Sequence, residues 1–442
     1  MMQAERLSLA SRILGLPRAK LAREAGTLAA SQYAGAVAGF LTTLVGARFL
    51  GPEGYGVAVL VVTLPELVLS FAAVRSSTIT TKYLSSFLAT GQLAEAAAVC
   101  RLGYSIDFLV SLAALGAVAL AALFLSTGSI PEALEWLMVV YAGSFLASSF
   151  RGTNAAVMQT LGAFRWLGGL ELAERAIVLG VASYALLAGY GVAGFVLSSA
   201  VGPVAVGVAG AIVAATLLRG QGIPSWIRAP VRPVHGIRGE LAAGLGWNYL
   251  ASTLGGVLIQ VPILLLGWTR GPTQAGYYQL SVTMAAVASY PEVAMARVTY
   301  PVLAGRFADR GNEGSWGTLR RWTIRGGLPA AAFVLVGLFF SPVIIPAIYG
   351  PEYSIVAWTT QLLLVGVAVS AAFFWLSPYF YAAGKVRGWA QALAVYVVAV
   401  IFLGVPAALI AGTLGMALVA GVGKAAHAAT MARRVQQQLR GP

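Results

Sequence analysis

Long apolar stretches recur along the whole chain and dominate its pattern. They follow one another from residue 26 to residue 433, and each is close to the roughly 20 apolar residues that an α-helix needs to cross a bilayer. The pattern predicts an all-α polytopic membrane protein with twelve transmembrane helices. These lie at residues 26–47, 55–75, 96–125, 134–157, 165–188, 192–218, 243–268, 275–297, 322–348, 354–381, 388–410 and 413–433.

The chain repeats itself at half its length. Pro52 of Leu50-Gly51-Pro52-Glu53-Gly54-Tyr55-Gly56 recurs 220 positions later as Pro272 of Arg270-Gly271-Pro272-Thr273-Gln274-Ala275-Gly276-Tyr277, and similar offsets continue to the last helix. Six helices per half is an even number, so both halves enter the membrane from the same side and the repeat is parallel. Internal duplication of this kind is typical of transporters whose halves move about a shared central site.

The repeat and the connections predict the domain organisation. We expect an amphipathic cytoplasmic segment at residues 1–25, an N-terminal six-helix lobe at 26–218, a cytoplasmic linker at 219–242 and a C-terminal six-helix lobe at 243–435.

The distribution of Lys and Arg predicts the orientation. Alternate connections carry nearly all of these residues, whereas the opposite connections hold only Arg48 and Arg270. Basic residues mark cytoplasmic loops, so both termini are predicted to be cytoplasmic and the protein to be a multi-pass protein of the cytoplasmic membrane. This bias also explains the net charge of +14. The basic residues are spread over loops without a nucleic-acid motif, so we expect membrane lipids as partners and no nucleic acid.

The sequence argues against catalysis and cofactors. The outward connections are short, the longest being 126–133, so no sizeable loop is present to carry an acid and a base at the membrane face. The single Cys100 excludes an intrachain disulfide, and His235 and His427 are far apart in sequence. We therefore predict a non-enzyme with no cofactor and no metal site.

Acidic residues inside the spans are candidates for ion coupling, because ionisable groups are costly in lipid. Glu66 follows Pro65 in the second helix, and Glu292 follows Pro291 in the eighth, where each proline is expected to bend its helix. Asp107 is a lone carboxylate on the third helix. The alternative is that each carboxylate pairs with an arginine and serves only to stabilise the fold.

Basic residues at helix ends are candidates for phosphate binding. Arg75 and Arg297 are equivalent in the repeat and suit a phosphate, which arginine binds with two hydrogen bonds. The alternative is that both extend to lipid headgroups as ordinary anchors. On the fifth helix Glu171 and Arg175 are one turn apart, which predicts an ion pair that also reaches Arg151.

Several segments resemble one family. They are residues 47–56, Phe150-Arg151 through Arg165, Tyr300-Pro301-Val302-Leu303-Ala304 and Ile345-Pro346-Ala347-Ile348-Tyr349-Gly350-Pro351-Glu352-Tyr353. They resemble the polysaccharide biosynthesis flippases of the multidrug/oligosaccharidyl-lipid/polysaccharide superfamily, and the likeness runs over essentially the whole chain.

The resemblance implies two lobes around a central cavity and transport by alternating access. The implied substrate is a polyprenyl-phosphate-linked or diphosphate-linked oligosaccharide, and glycan-assembly enzymes are possible partners. Family members often bind the phosphate with basic cavity residues, for which this chain offers Arg75, Arg151, Arg175, Arg297 and Lys424.

Other functions stay open at the level of sequence. An ion-coupled multidrug or metabolite exporter of the same superfamily would have acidic residues in the first helix, and residues 26–47 carry no charge. A major-facilitator sugar transporter would have a basic signature in the loop at 76–95, which is absent. The short outer loops argue against a glycan polymerase or ligase, whereas a non-catalytic scaffold for glycan assembly is compatible with the sequence.

Overall fold

The computed structural model describes residues 18–72, 76–124, 132–223, 238–310 and 315–440. In this part of the chain the regular structure is helical and contains no strand. The α-helices are α1 (Arg18–Ala72), α2 (Ser76–Ala89), α3 (Leu93–Phe124), α4 (Glu132–Ser148), α5 (Arg151–Thr160), α6 (Phe164–Leu187), α7 (Gly191–Gly220), α8 (Arg238–Arg270), α9 (Pro272–Ala288), α10 (Tyr290–Arg310), α11 (Ser315–Trp322), α12 (Leu328–Tyr349), α13 (Ser354–Ala372), α14 (Leu376–Ala382) and α15 (Val386–Arg440). A π-helical turn, Thr323–Gly327, joins α11 to α12, and a 3₁₀ turn, Pro351–Tyr353, precedes α13.

Seven of the described helices are long and apolar enough to cross a membrane. Two of them are about twice the length of a single span. The helix α1 breaks at Gly51, where φ is 68°, and α15 breaks at Ala411 and Gly412. Each break falls between two predicted spans. The helix stops at glycine in both cases, because glycine tolerates a positive φ. The prediction of an all-α polytopic membrane protein is confirmed.

Three predicted spans are not single helices. The span at 134–157 is divided between α4 and α5, the span at 275–297 between α9 and α10, and the span at 354–381 between α13 and α14. At the second site the break falls at Ser289, two residues before Pro291. This proline has no N–H to continue the hydrogen bonding of α9, and it lies in the first turn of α10, where no such bond is needed. The backbone of α1, in contrast, stays helical through Pro65.

The chain forms two compact units. The first comprises Met1–Gly46, Val68–Ser126 and Glu132–Tyr249, and the second comprises Ala47–Leu67, Thr127–Pro131 and Leu250–Pro442. Residues 47–67, which contain the Leu-Gly-Pro-Glu-Gly motif, thus belong to the second unit. The hydrophobic core of this unit includes Trp375 and Tyr379, both fully buried.

The two repeated motifs contact each other inside the second unit. A Cβ built on Gly56 would lie 2.0 Å from the carbonyl oxygen of Pro272, and one built on Gly276 would lie 3.0 Å from Gly56 Cα. Only a residue without a side chain permits this approach of two backbones. The glycines of the motif therefore have a structural role, which is to let the start of α9 cross α1.

Two repeat-equivalent arginines cap helix ends in the same unit. Arg48 donates to the carbonyls of Ile348, at 2.7 Å, and Ala347, in the last turn of α12. Arg270 donates to the carbonyls of Ala408 and Leu409, in the last turn before the break in α15. The last carbonyls of a helix have no partner within it and carry a partial negative charge, so each guanidinium stabilises a helix terminus.

Candidate functional site

The second unit contains a cavity of about 780 Å³. Its walls come from α8, α9, α10, α13, α14 and both sections of α15. On α15 the lining residues recur at helical spacing, as Trp389, Leu393 and Tyr396 and again as Lys424 and His427. The volume lies within the range of ligand-binding pockets, which are mostly apolar with a few polar groups.

Glu292 brings a carboxylate to this cavity. The break at Ser289 places it in the first turn of α10, where the partial positive charge of the helix terminus favours an acidic residue. Ser370 on α13 donates a hydrogen bond of 2.6 Å to Glu292 Oε1. The other oxygen, Oε2, is buried and has no hydrogen-bond partner among the described residues. One half of the carboxylate is thus held by the protein and the other half is not.

Lys424 brings an amine to the cavity from α15. Its Cβ lies where α13 and α15 meet closely, because a Cβ on Gly366 would be 3.1 Å from it and one on Gly421 would be 2.1 Å from the carbonyl oxygen of Leu362. The side chain is half-buried. Within the described residues it makes no ion pair and no hydrogen bond. A half-buried ammonium without a protein partner favours an anionic ligand.

His427 lies one turn beyond Lys424 and is flanked by aromatic rings. Its ring centroid is 5.1 Å from that of Trp389, edge to face, and 5.7 Å from that of Tyr396, stacked. Within the described residues His427 Nε2 is buried and has no hydrogen-bond partner, although the imidazole as a whole also interacts with the backbone of Ala392. The hydroxyl of Tyr396 donates to the carbonyl of Ala420 at 2.7 Å, which fixes the ring in place.

Arg297 lines the same cavity and is exposed. Its repeat equivalent, Arg75, lies outside the described residues. Of the five candidates for phosphate binding, the structure thus brings Arg297 and Lys424 to one cavity, together with Glu292 from the candidates for ion coupling. Glu66 is half-buried on the part of α1 that belongs to the second unit, and it does not line the cavity.

The arginines of the first unit have other surroundings. Arg151 forms an ion pair with Glu174, with 2.8 Å between Nη2 and Oε2. The predicted ion pair between Glu171 and Arg175 is wrong, because no ion pair joins these two residues in the described part of the chain. Glu174 is buried and faces α5, whereas Arg175 is exposed and its Cγ lies against Gly35 of α1. Burial of Glu174 explains why Arg151 pairs with it and not with Glu171, since a buried carboxylate needs a partner more than an accessible one.

Asp107 also belongs to the first unit, and it caps a helix. Its Oδ2 accepts hydrogen bonds from the hydroxyl of Thr153, at 2.7 Å, and from the backbone N–H of the same residue, at 3.2 Å. Thr153 is in the first turn of α5, where backbone N–H groups lack helical partners. The residue before the helix, Phe150, has no side-chain acceptor, so Asp107 of α3 supplies the cap.

A buried polar network adjoins this cap. The hydroxyl of Tyr104 donates to Asn154 Oδ1 at 2.7 Å, and Asn154 Nδ2 donates to the carbonyl of Gly207 at 3.3 Å. These bonds join α3, α5 and α7. They give each of these three helices a polar contact inside the first unit.

Sequence reasoning missed Ser370, Trp389 and Tyr396 as cavity residues. The spacing of Trp389 and Tyr396, seven positions apart on one helix face, was a usable signal for the two aromatic residues. Nothing in the sequence indicated Ser370, because its contact with Glu292 spans 78 positions. For metals, no group of three or more His, Cys, Asp or Glu residues suited to an ion occurs in the described part of the chain.

Comparison with known proteins gives a match in structure and none in sequence. No protein-family model and no curated protein matches the chain. An inward-facing multidrug resistance MATE family transporter of the MOP superfamily aligns with a TM-score of 0.74 at 13% identity, over 92% of this chain and 94% of its own. The lipid II flippase MurJ, in an inward closed conformation, aligns with a TM-score of 0.71 at 12% identity, over 93% of this chain and 87% of its own.

A third match is a MOP superfamily transporter from Pyrococcus furiosus, for which reverse polarity of the binding pocket suggests a different function. It aligns with a TM-score of 0.57 at 14% identity, over 95% of this chain and 94% of its own. At such identities the similarity establishes the fold. The chain is a multi-pass helical membrane protein with the fold of MOP superfamily transporters and flippases.

Proposed function

We propose that this protein is a flippase that moves a polyprenyl-phosphate-linked or diphosphate-linked oligosaccharide across the cytoplasmic membrane by alternating access. Two lines of support come from the fold and from the sequence motifs. The fold is shared with the lipid II flippase MurJ, and the segments around Gly51-Pro52 and Pro346 resemble polysaccharide flippases.

The charge of the cavity in the second unit carries the proposal. Its described lining includes two basic residues, Arg297 and Lys424, and one acidic residue, Glu292. A site for cationic drugs would have more acidic residues than basic ones. Arginine and lysine suit the phosphate groups of a lipid carrier, because arginine gives two parallel hydrogen bonds and lysine a compact charge.

The glycan and the polyprenyl chain of the substrate also have suitable surroundings. Serine, tyrosine and tryptophan side chains in the cavity wall provide polar and flat surfaces for the glycan. The polyprenyl chain stays in the lipid, because its transfer to water would be costly. We expect cytoplasmic termini, membrane lipids as the surrounding partners, and glycan-assembly enzymes as suppliers of the substrate.

Ion-coupled export of another metabolite is the second candidate. Glu292 favours it, since the oxygen without a partner is a potential ligand for a proton or a cation. Glu66 and Asp107 remain coupling candidates as well, although Asp107 is already engaged in capping α5.

Reconstitution tests the proposal. The full chain is placed in liposomes that carry a fluorescent polyprenyl-diphosphate oligosaccharide, and leaflet exchange is measured for a panel of glycans with and without proton and sodium gradients. We expect exchange of at least one glycan to be faster than in protein-free vesicles. Equal rates for every glycan under every gradient would refute the flippase function.

A further inference from the structure

Two polar atoms of residues that line the cavity in the second unit have no hydrogen-bond partner in the part of the chain that the structure describes. They are Glu292 Oε2 and His427 Nε2, and both are buried. A buried polar atom without a partner costs free energy, which a ligand recovers when small side-chain movements bring its own polar groups to these atoms. The cavity is therefore built for a ligand with several hydrogen-bonding groups.

Aromatic rings lie beside one of these atoms. Trp389 and Tyr396 both line the cavity and contact the ring of His427 from two directions. Because the hydroxyl of Tyr396 is already bonded to the carbonyl of Ala420, this residue offers its ring to a ligand rather than its hydroxyl. A flat ring next to hydrogen-bonding groups suits a pyranose, whose C–H face packs on the ring while its hydroxyls take up the polar contacts.

The charges assign different parts of the substrate to different residues. A carboxylate repels phosphate, so Glu292 is a poor neighbour for the diphosphate group. A sugar hydroxyl, in contrast, donates to a carboxylate and accepts from an imidazole or an ammonium group at the same time. Lys424 lies three residues before His427 on α15, on the same helix face, so the residue assigned to the phosphate is a neighbour of the one assigned to the sugar.

We infer that Glu292, His427 and Trp389 form a subsite for a neutral pyranose ring of the glycan, within the second unit. The inference rests on the proposed glycan substrate and narrows it: recognition of the sugar is assigned to this subsite, and recognition of the phosphate to Arg297 and Lys424.

Equilibrium binding of radiolabelled methyl hexopyranosides to the purified full-length protein tests the subsite. The probes are the glucoside, galactoside, mannoside and N-acetylglucosaminide, which contain neither phosphate nor lipid. We expect saturable binding of at least one probe. Glu292→Gln and Trp389→Leu should each weaken it by about tenfold, the effect of losing one hydrogen bond to a charged group or one ring contact.

Matched controls are available in the same unit. Glu352→Gln removes an exposed carboxylate and Trp268→Leu an exposed indole, and neither residue lines the cavity. Both variants should bind the glycoside as the unaltered protein does. Thermal unfolding of every variant is measured alongside, so that a loss of binding is counted only for protein that folds.

The outcomes separate the subsite from the flippase function. Absence of saturable glycoside binding, or binding that neither Glu292→Gln nor Trp389→Leu weakens, overturns the subsite. Binding of labelled sodium that Glu292→Gln abolishes, without glycoside binding, overturns it in favour of a cation site. Glycoside binding with the expected variant effects supports the subsite even where leaflet exchange fails, and in that case only the flippase function is refuted.

Discussion

Gly56 and Pro272 meet backbone to backbone: a Cβ on the glycine would be 2.0 Å from the proline carbonyl oxygen. Both residues belong to the motif that recurs at half the chain length. The two copies of the motif therefore contact each other in the folded chain.

This contact predicts the effect of adding one methyl group. Gly56→Ala should lower the free energy of unfolding by about 1–3 kcal/mol, as overpacking against backbone does. Gly39→Ala is the control, because a Cβ there meets nothing within 4 Å. It should be neutral or stabilise by about 0.5–1 kcal/mol, since glycine disfavours helix interiors. Thermal unfolding of the purified protein in detergent measures both, and equal unfolding temperatures would contradict the contact.

The arginine caps predict a second stability effect. Arg48→Gln and Arg270→Gln should each destabilise the fold by about 1 kcal/mol, because the terminal carbonyls lose charged donors that are partly screened by their exposure. Arg433→Gln removes an exposed arginine and should have little effect. If all three variants unfold at the same temperature, the capping role is wrong.

The ion pair of the first unit is suited to a double-mutant cycle. Arg151→Gln and Glu174→Gln should show a coupling free energy of about 0.5–1 kcal/mol, at the lower end of the range for residues in contact because Arg151 is partly exposed. The pair Glu171 and Arg175 provides the matched cycle and should show no coupling. Coupling in the second cycle alone would restore the pairing that the sequence predicts.

Substitution of Asp107 distinguishes capping from ion coupling. Asp107→Ala removes the acceptor for Thr153 and should cost about 1 kcal/mol, the usual effect of losing a helix cap. Asp107→Asn keeps an oxygen acceptor and should retain most of the stability. Transport by the asparagine variant is then measured under a proton or sodium gradient. Loss of gradient dependence in this variant would assign coupling to Asp107, whereas unchanged stability of Asp107→Ala would contradict the cap.

The all-α polytopic fold was predictable, because hydropathy and helix length follow directly from the physics of the bilayer. The breaks were less so. Pro291 indicated a bend and the structure has one nearby, whereas Pro65 indicated a bend that the backbone angles of α1 do not show. A proline restricts the backbone locally, and its tertiary neighbours decide whether the helix ends there.

The charged residues were identifiable as a set, but their partners were not. The sequence placed Glu171 and Arg175 one turn apart, and the structure instead pairs Arg151 with Glu174 across two helices. It likewise gave no reason to place Ser370 against Glu292. Such contacts depend on which face of each helix is buried. A span that is apolar on all sides has no amphipathic pattern that would indicate this face.

Leaflet exchange of the lipid-linked oligosaccharide by cavity variants tests whether the cavity binds the phosphate. Exchange of the fluorescent polyprenyl-diphosphate substrate is compared between the unaltered protein, Lys424→Gln and Arg297→Gln, with Lys82→Gln and Arg433→Gln as exposed controls. We expect protein-dependent exchange that falls by about tenfold or more in each cavity variant, because a charge-assisted hydrogen bond is lost, and that is unchanged in the controls. Exchange that proceeds at the same rate in all five proteins would contradict the assignment of the cavity to the phosphate.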